Sequence, residues 1–115
     1  MTIKRVVPDI KSNDFDDSRK FYAEFLGFDV AMDMDFVMTF ASPSNPTAQI
    51  SIIKNEETEL QPAISIEVDD VEKTYVRAQE LGLKIVYPLS AEPWGVKRFF
   101  VIDPNGVVIN VLSHC

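Results

Sequence analysis

The chain has 115 residues, 46% of them hydrophobic and 25% charged, with 18 acidic against 11 basic side chains and a net charge of −7. That is one domain's worth of ordinary globular chain, long enough to bury a core without staples. The acidic excess argues against nucleic acid and anionic membrane surfaces as partners; no apolar run is long enough to span a bilayer, and the start, MTIKRVVPDIKSND, lacks the pattern of a signal peptide, so a cytoplasmic location is expected.

Residues 3–12, IKRVVPDIKS, predict a strand. Pro8 lies inside it and has no N–H to give, which marks an edge, a bend or a crossing point. Residues 14–26, DFDDSRKFYAEFL, predict a helix with Asp14 as N-cap and Asp16 and Asp17 in the first turn, where they complement the helix dipole. Phe15, Phe21 or Tyr22, and Phe25 recur at helical spacing, and Gly27 is placed to end the helix. Strands are expected at about 28–33, 36–41 and 48–54, with the turn-rich SPSNPT between the last two.

The pattern then restarts. Residues 62–68, PAISIEV, alternate as a strand does, and 70–81, DVEKTYVRAQEL, predict a helix capped by Asp70 and stopped by Gly82. Val71, Tyr75, Ala78 and Leu81 share one face of it. Strands follow at about 83–87, 96–102 and 107–113, the last two joined by Asp103-Pro104-Asn105-Gly106, where proline presets φ and glycine admits a positive one. Nearly the same interval separates the two caps, Asp14 and Asp70, and the two stops, Gly27 and Gly82. The expected organisation is therefore an internal repeat: an α+β fold of two βαβββ modules, about 1–57 and 60–115, joined around NEETELQ in a single 1–115 domain. A lone Cys115 at the chain end makes no internal disulfide and no metal motif.

Strand alternation sorts side chains into two faces. Ile64, Ile66 and Val68, Ile50 and Ile52, and Val107, Ile109 and Val111 belong under the helices. Ala63, Ser65 and Glu67, Gln49 and Ser51, and Val108, Asn110 and Leu112 face the other way. Matched between modules, Val7, Asp9 and Lys11 correspond to Ala63, Ser65 and Glu67. Asn110 stands alone as an amide among apolar neighbours, so it needs hydrogen-bond partners if it is buried.

Three stretches, DFDDSRKFYAEFLGF (14–28), VDDVEKTYVRAQELG (68–82) and PWGVKRFFVIDPNGVVINV (93–111), together resemble the vicinal oxygen chelate superfamily, which includes glyoxalase I, bleomycin resistance proteins and extradiol dioxygenases. The resemblance implies a cup-shaped mixed sheet with the helices outside and a ligand held between the modules. In metal-using members the ligands are His, Gln or Glu on the first and last strands of each module. Carried over here, those positions fall on Val7, Ala63, Asn110 and a residue near Gln49. Val, Ala and Asn are poor ligands for a transition metal, and the sole histidine, His114, is expected beyond the last strand. No metal and no other cofactor is therefore expected.

The resemblance is nearest to the metal-free bleomycin-resistance type, which sequesters a drug without chemistry. Pro8 resembles the proline at which that group's subunits exchange strands, which implies a homodimer; Pro93-Trp94-Gly95 is shared with it. The expected function is metal-independent binding of a small organic ligand, cationic or aromatic, by Asp9, Phe36, Phe40, Gln49, Ser51, Ser65, Glu67, Trp94, Arg98 and Asn110, with Phe99 or Phe100 adding to a stacking wall. The alternative is a lyase or isomerase of the glyoxalase class, for which Glu67, with Asp9 behind it, is the available base. A third reading is a sensor or interaction module with a vestigial cup.

Overall fold

The computed structural model describes residues 1–115. The elements in chain order are β1 (Ile3–Ser12), α1 (Phe15–Arg19) running into a π-helical stretch (Lys20–Phe25), β2 (Asp29–Met34), β3 (Val37–Ala41), β4 (Gln49–Lys54), β5 (Ile64–Val68), α2 (Val71–Glu80), β6 (Ile85–Ala91), β7 (Val96–Ile102) and β8 (Val108–His114). The chain divides into two compact units, Val7–Leu60 and Met1–Val6 with Gln61–Cys115. In hydrogen-bonding order the strands of the first run β2-β3-β4-β1 and those of the second β1-β5-β8-β7-β6.

The start of β1 groups with the second unit because its bonds lie there. Asp69 N–H donates to Thr2 O at 3.1 Å, the Asp69 carboxylate accepts from Thr2 N–H at 2.9 Å, and Arg5 Nε meets Glu67 Oε1 at 2.9 Å. From Asp9 to Ser12 the strand instead pairs in parallel with Ser51–Lys54 of β4. Pro8, which can donate nothing to a ladder, sits just where the strand changes unit.

In the Val7–Leu60 unit, Asp14 caps α1 as its sequence position predicts, its carboxylate accepting from Asp17 N–H at 3.1 Å. The helix then widens: Leu26 N–H reaches back five residues to Phe21 O. The wider turn changes which aromatics face the sheet. Phe15 and Tyr22 pack on the core of Met38, Phe40 and Ile52, whereas Phe21 is 51% and Phe25 72% exposed. The burial expected of Phe25 from α-helical spacing is thus not realised.

In the other unit, Asp70 caps α2 by accepting from Lys73 N–H at 3.0 Å. Ser113 Oγ, on β8, donates to Val68 O at 2.8 Å and accepts from Val71 N–H at 3.1 Å, tying the first turn of the helix to the sheet. Val71 and Ala78 are buried against Val68, Phe99 and Val111, and Tyr75 meets Phe99 edge-on with ring centroids 5.0 Å apart. Leu81 is half exposed, because the helix ends at Glu80 and the chain turns away. Burying a side chain such as Phe99 contributes about 1.5–3 kcal/mol.

Strand β6 is longer than its sequence pattern suggests. It continues through Pro88 as an edge strand, and its pairing with β7 shifts register between Ile85 and Tyr87 and again between Tyr87 and Ser90, irregularities that accommodate a residue without an N–H. The β7–β8 hairpin closes as its residues dictate. The Asp103 carboxylate accepts from Asn105 N–H at 2.8 Å and Val107 N–H at 2.9 Å, and Gly106 takes φ 81°.

Candidate functional site

The polar positions of the Met1–Val6/Gln61–Cys115 unit collect on the face of its sheet opposite α2. Strand pairing fixes them: Ser65 stands opposite Asn110 and Glu67 opposite Leu112 across β5–β8, while Phe100 stands opposite Asn110 and Arg98 opposite Leu112 across β7–β8. Residues two apart on a strand share a face, so Ser65, Glu67, Arg98, Phe100, Asn110, Leu112 and His114 look the same way. Helix-side positions Ile66, Phe99, Val101, Ile109 and Val111 carry the core. Phe100 lies on the site face and Phe99 under the helix, but both are buried, so the expectation that either adds to an open stacking wall is corrected.

Asn110 is buried, 7% exposed. Its Nδ2 donates to Ser65 Oγ at 3.0 Å, while its Oδ1 is buried with no hydrogen-bond partner. Arg98 supplies the complementary group, a buried Nε–H with no hydrogen-bond partner. Its guanidinium carbon lies 4.9 Å from the ring centroid of Phe100, 5.1 Å from that of Trp94 and 5.4 Å from that of Tyr87, within cation–π range of all three. The nearest carboxylate, Glu92, is 3.8 Å from Arg98 Nε and is engaged by the Tyr87 hydroxyl, which donates to Glu92 Oε1 at 2.5 Å.

Glu67 is held on both sides. Oε1 accepts from Arg5 Nε at 2.9 Å and Oε2 lies 2.7 Å from His114 Nδ1. Burial pushes its carboxyl pKa upward, but the His114 hydrogen bond and the Arg5 charge outweigh burial and hold it below its ordinary value. A carboxylate so stabilised is a weaker base, and its charge is already compensated. His114 therefore has a role that its position near the chain end concealed. It is the last residue of β8 rather than a residue beyond it, and its ring reaches Glu67.

In the Val7–Leu60 unit, Asp9, Gln49 and Ser51 share the face opposite α1. Ser51 Oγ and Thr39 Oγ1 are 2.9 Å apart and both residues are buried. Gln49 is the first residue of β4 and donates from Nε2 to Pro46 O at 2.8 Å. Phe36 is 42% exposed in the turn between β2 and β3. Phe40 is 0% exposed and stacks on Tyr22 at 5.3 Å between centroids, so the expectation that it forms a ligand wall is corrected: it is core, because it pairs with Ile50 on the helix side of the sheet.

The ladders also correct the place of Gln49 in the repeat. Asp9 and Ser65 precede their helix caps by the same interval; Asp9 pairs with Ser51 just as Ser65 pairs with Asn110. Ser51, not Gln49, is thus the counterpart of Asn110. In neither unit do these positions suit a divalent ion. Val7 is a buried apolar side chain, Ala63 has no donor atom, Ser51 is engaged with Thr39, and Asn110 offers one neutral oxygen. No three or more His, Cys, Asp or Glu side chains are grouped to hold a metal.

Arg5, Tyr87 and Glu92 are site-face residues that the sequence reading passed over. Arg5 could have been found by extending the Val7–Asp9–Lys11 alternation backwards. Tyr87 could not, since the register shifts of β6 break the alternation that would place it, and Glu92 lies just beyond that strand, where no alternation applies.

Eight strands and two helices, each helix packed on one face of its unit's sheet, define the class: an α+β protein of the glyoxalase fold. The profile of the Glyoxalase/Bleomycin resistance protein/Dioxygenase superfamily matches residues 2–111, and the chain belongs to that superfamily. Among solved structures, a member of the superfamily from Vibrio splendidus 12B01 is 23% identical with a TM-score of 0.74, over 97% of this chain and 99% of that one. Methylmalonyl-CoA epimerase from Mycobacterium tuberculosis is 18% identical with a TM-score of 0.77, over 98% of this chain and 87% of that one. A hypothetical protein from Bacillus halodurans C-125 is 14% identical with a TM-score of 0.80, over 100% of this chain and 96% of that one. At such identities the likeness is one of fold. No curated protein matches the chain by sequence. No helix is long and apolar enough to cross a membrane.

Proposed function

We propose that this protein binds a small organic ligand without a metal, on the face of the Met1–Val6/Gln61–Cys115 unit that carries Ser65, Trp94, Arg98 and Asn110. One observation carries this reading: a buried acceptor, Asn110 Oδ1, and a buried donor, Arg98 Nε, lie on adjacent strands of the same face without hydrogen-bond partners. A buried polar group left unpaired costs about 1–3 kcal/mol, a cost that a polar molecule removes when the side chains enclosing these two atoms move aside to admit it. Trp94, 38% exposed, supplies apolar surface beside them. The donor set argues for metal independence, since it offers no charged ligand in the positions where metal-using relatives of the first resemblance carry theirs.

A lyase or isomerase of the glyoxalase class would need a base here. Glu67, the candidate for it, is engaged by Arg5 and His114 and is the weaker base for that, so binding is the better-supported function. The reading keeps the homodimer implied by the resemblance; light scattering at micromolar concentration separates it from a monomer. The binding itself is tested by thermal shift in EDTA against a broad library of cationic, neutral and anionic organic compounds. A saturable rise in Tm that is lost in Asn110→Leu is expected. No binder in any charge class, or binding that appears only on adding a divalent ion, overturns the proposal.

A further inference from the structure

We propose that Arg98 makes this site selective for organic anions, with a carboxylate as the group that Arg98 reads; the inference rests on the binding function proposed above and names its ligand class. The sequence suggested the opposite sign, from the overall charge and from Asp9 and Glu67. Within the unit that holds Arg98, however, Glu67 is already paired with Arg5 and hydrogen-bonded to His114.

Arg98 is the group whose chemistry is incomplete. Three aromatic rings lie around its guanidinium. Such rings stabilise the charge through their π faces but accept no in-plane hydrogen bond from the N–H edges. Glu92 forms an ion pair with Arg98 at 3.8 Å from Nε, beyond hydrogen-bond distance, and accepts from the Tyr87 hydroxyl, so the Nε–H itself stays without a hydrogen bond. A guanidinium presents a rigid planar fork, and its natural complement is a planar oxyanion bound through two parallel N–H···O bonds. A ligand cation would lie against Arg98 and be repelled.

The neighbouring groups narrow the ligand further. Asn110 and Arg98 are diagonal neighbours: Phe100 stands opposite Asn110, and Arg98 is two residues along the same strand. Diagonal positions of this kind are roughly 7–8 Å apart. A flat apolar body of about that length, with a carboxylate at one end and a hydrogen-bond donor at the other, meets Arg98 and Asn110 together. Trp94, beside Arg98, faces the same body.

The test is a library of phenyl and naphthyl scaffolds, each bearing a hydroxyl and each prepared as the carboxylic acid, the primary amide and the amine. Binding to the full-length protein is measured by calorimetry in EDTA at neutral pH. The acids are expected to bind roughly tenfold or more tightly than their amides, with the amines weakest. Arg98→Gln abolishes the preference. Arg98→Lys keeps the charge but not the fork and retains part of it. Circular dichroism and Tm of both variants check folding, and if Arg98→Gln fails to fold, the lysine variant and the acid-to-amide ratio of the natural protein decide. Amides or amines binding as tightly as acids, or an acid preference untouched in a folded Arg98 variant, overturns the inference and leaves the binding function standing. Binding by none of the three series overturns the inference, and the broad library above then decides the binding function by itself.

Discussion

Asn110 and Ser65 stand opposite one another on β8 and β5, and the Asn110 Nδ2 donates to Ser65 Oγ at 3.0 Å while the Asn110 Oδ1 is buried and accepts nothing. Half of the amide is thus structural and half is left over. In a strand whose other positions on both faces are largely apolar, the leftover half is a cost to folding. The ligand proposed above accounts for that cost.

Removing the amide should therefore cost little stability. Asn110→Leu replaces it by an apolar side chain of similar volume. The change loses one hydrogen bond and one buried unpaired acceptor, so unfolding free energy is expected to stay within about 1 kcal/mol of the natural protein or to rise. Ligand binding is expected to disappear. Urea unfolding and calorimetry on the same sample check both. A loss of more than about 2 kcal/mol would mean that Oδ1 is satisfied in the folded protein, and would remove the observation on which the binding site rests.

Metal removal gives a second expectation. The positions that would supply ligands offer hydrocarbon, a hydroxyl already engaged with Thr39, and one neutral amide oxygen. Exhaustive EDTA dialysis should leave Tm unchanged, and stoichiometric Zn²⁺ should give no saturable shift. A ligand present at about 100 times its Kd would stabilise by about 2.7 kcal/mol, a rise of several degrees that scanning calorimetry would not miss.

How much of this was legible beforehand depends on whether a local rule or a pairing decided it. The helix caps, the β7–β8 turn and the two faces of β5 and β8 follow from residue types and period-two alternation, and they stand where the sequence puts them. Phe40 did not, because its face is set by its pairing with Ile50, and no periodicity within β3 announces that partner. Phe25 did not, because a hydrogen bond slipped by one residue turns a helix face, and Phe-Tyr-Ala-Glu-Phe suits either turn. The ring cluster around Arg98 was hidden for a similar reason. Tyr87 arrives there through the register shifts of β6, which only the folded ladder reveals.

The caps can be tested directly. Asp70→Ala removes the acceptor of Lys73 N–H at the start of the helix that carries Val71 and Ala78 into the core. A loss of about 1 kcal/mol is expected, a fall in Tm of roughly 4–8 °C for a domain near this size. Asp70→Asn, which keeps a side-chain acceptor, should recover most of it. Equal losses in the two variants would show that charge near the helix start, rather than the cap bond, is what matters.

The reassigned aromatics make an opposite pair. Phe40→Ala empties a fully buried site under the helix and is expected to cost about 3–5 kcal/mol. Phe25→Ser changes a side chain that is 72% exposed and should stay within about 0.5 kcal/mol. Chemical denaturation with a shared m-value separates them cleanly. A Phe25 loss comparable to that of Phe40 would restore the regular helix and dismiss the π turn.

Glu67 predicts a pH dependence whose direction follows from its partners. Its folded pKa lies below the ordinary value of 4.5, because the His114 hydrogen bond and the Arg5 charge outweigh the burial that opposes them. Above pH 4.5 the carboxylate is ionised in both the folded and the unfolded chain, and its contribution to stability is fully present. As pH falls from there through the lower folded value, the unfolded chain takes up the proton first and the contribution is lost. Glu67→Gln removes that titration, so the variant should be less stable than the natural protein near neutrality and should lose less on acidification. The difference between the two unfolding curves is expected to shrink steadily below pH 4.5. Asp103→Asn is the control, since the Asp103 carboxyl is also held low, chiefly by Val107 N–H. Its effect should add to that of Glu67→Gln without altering it, because the two carboxylates share no partner. A Glu67→Gln protein whose acid limb runs parallel to that of the natural one would mean that the pairing with Arg5 and His114 does not form in solution, and Glu67 would again be available as a base.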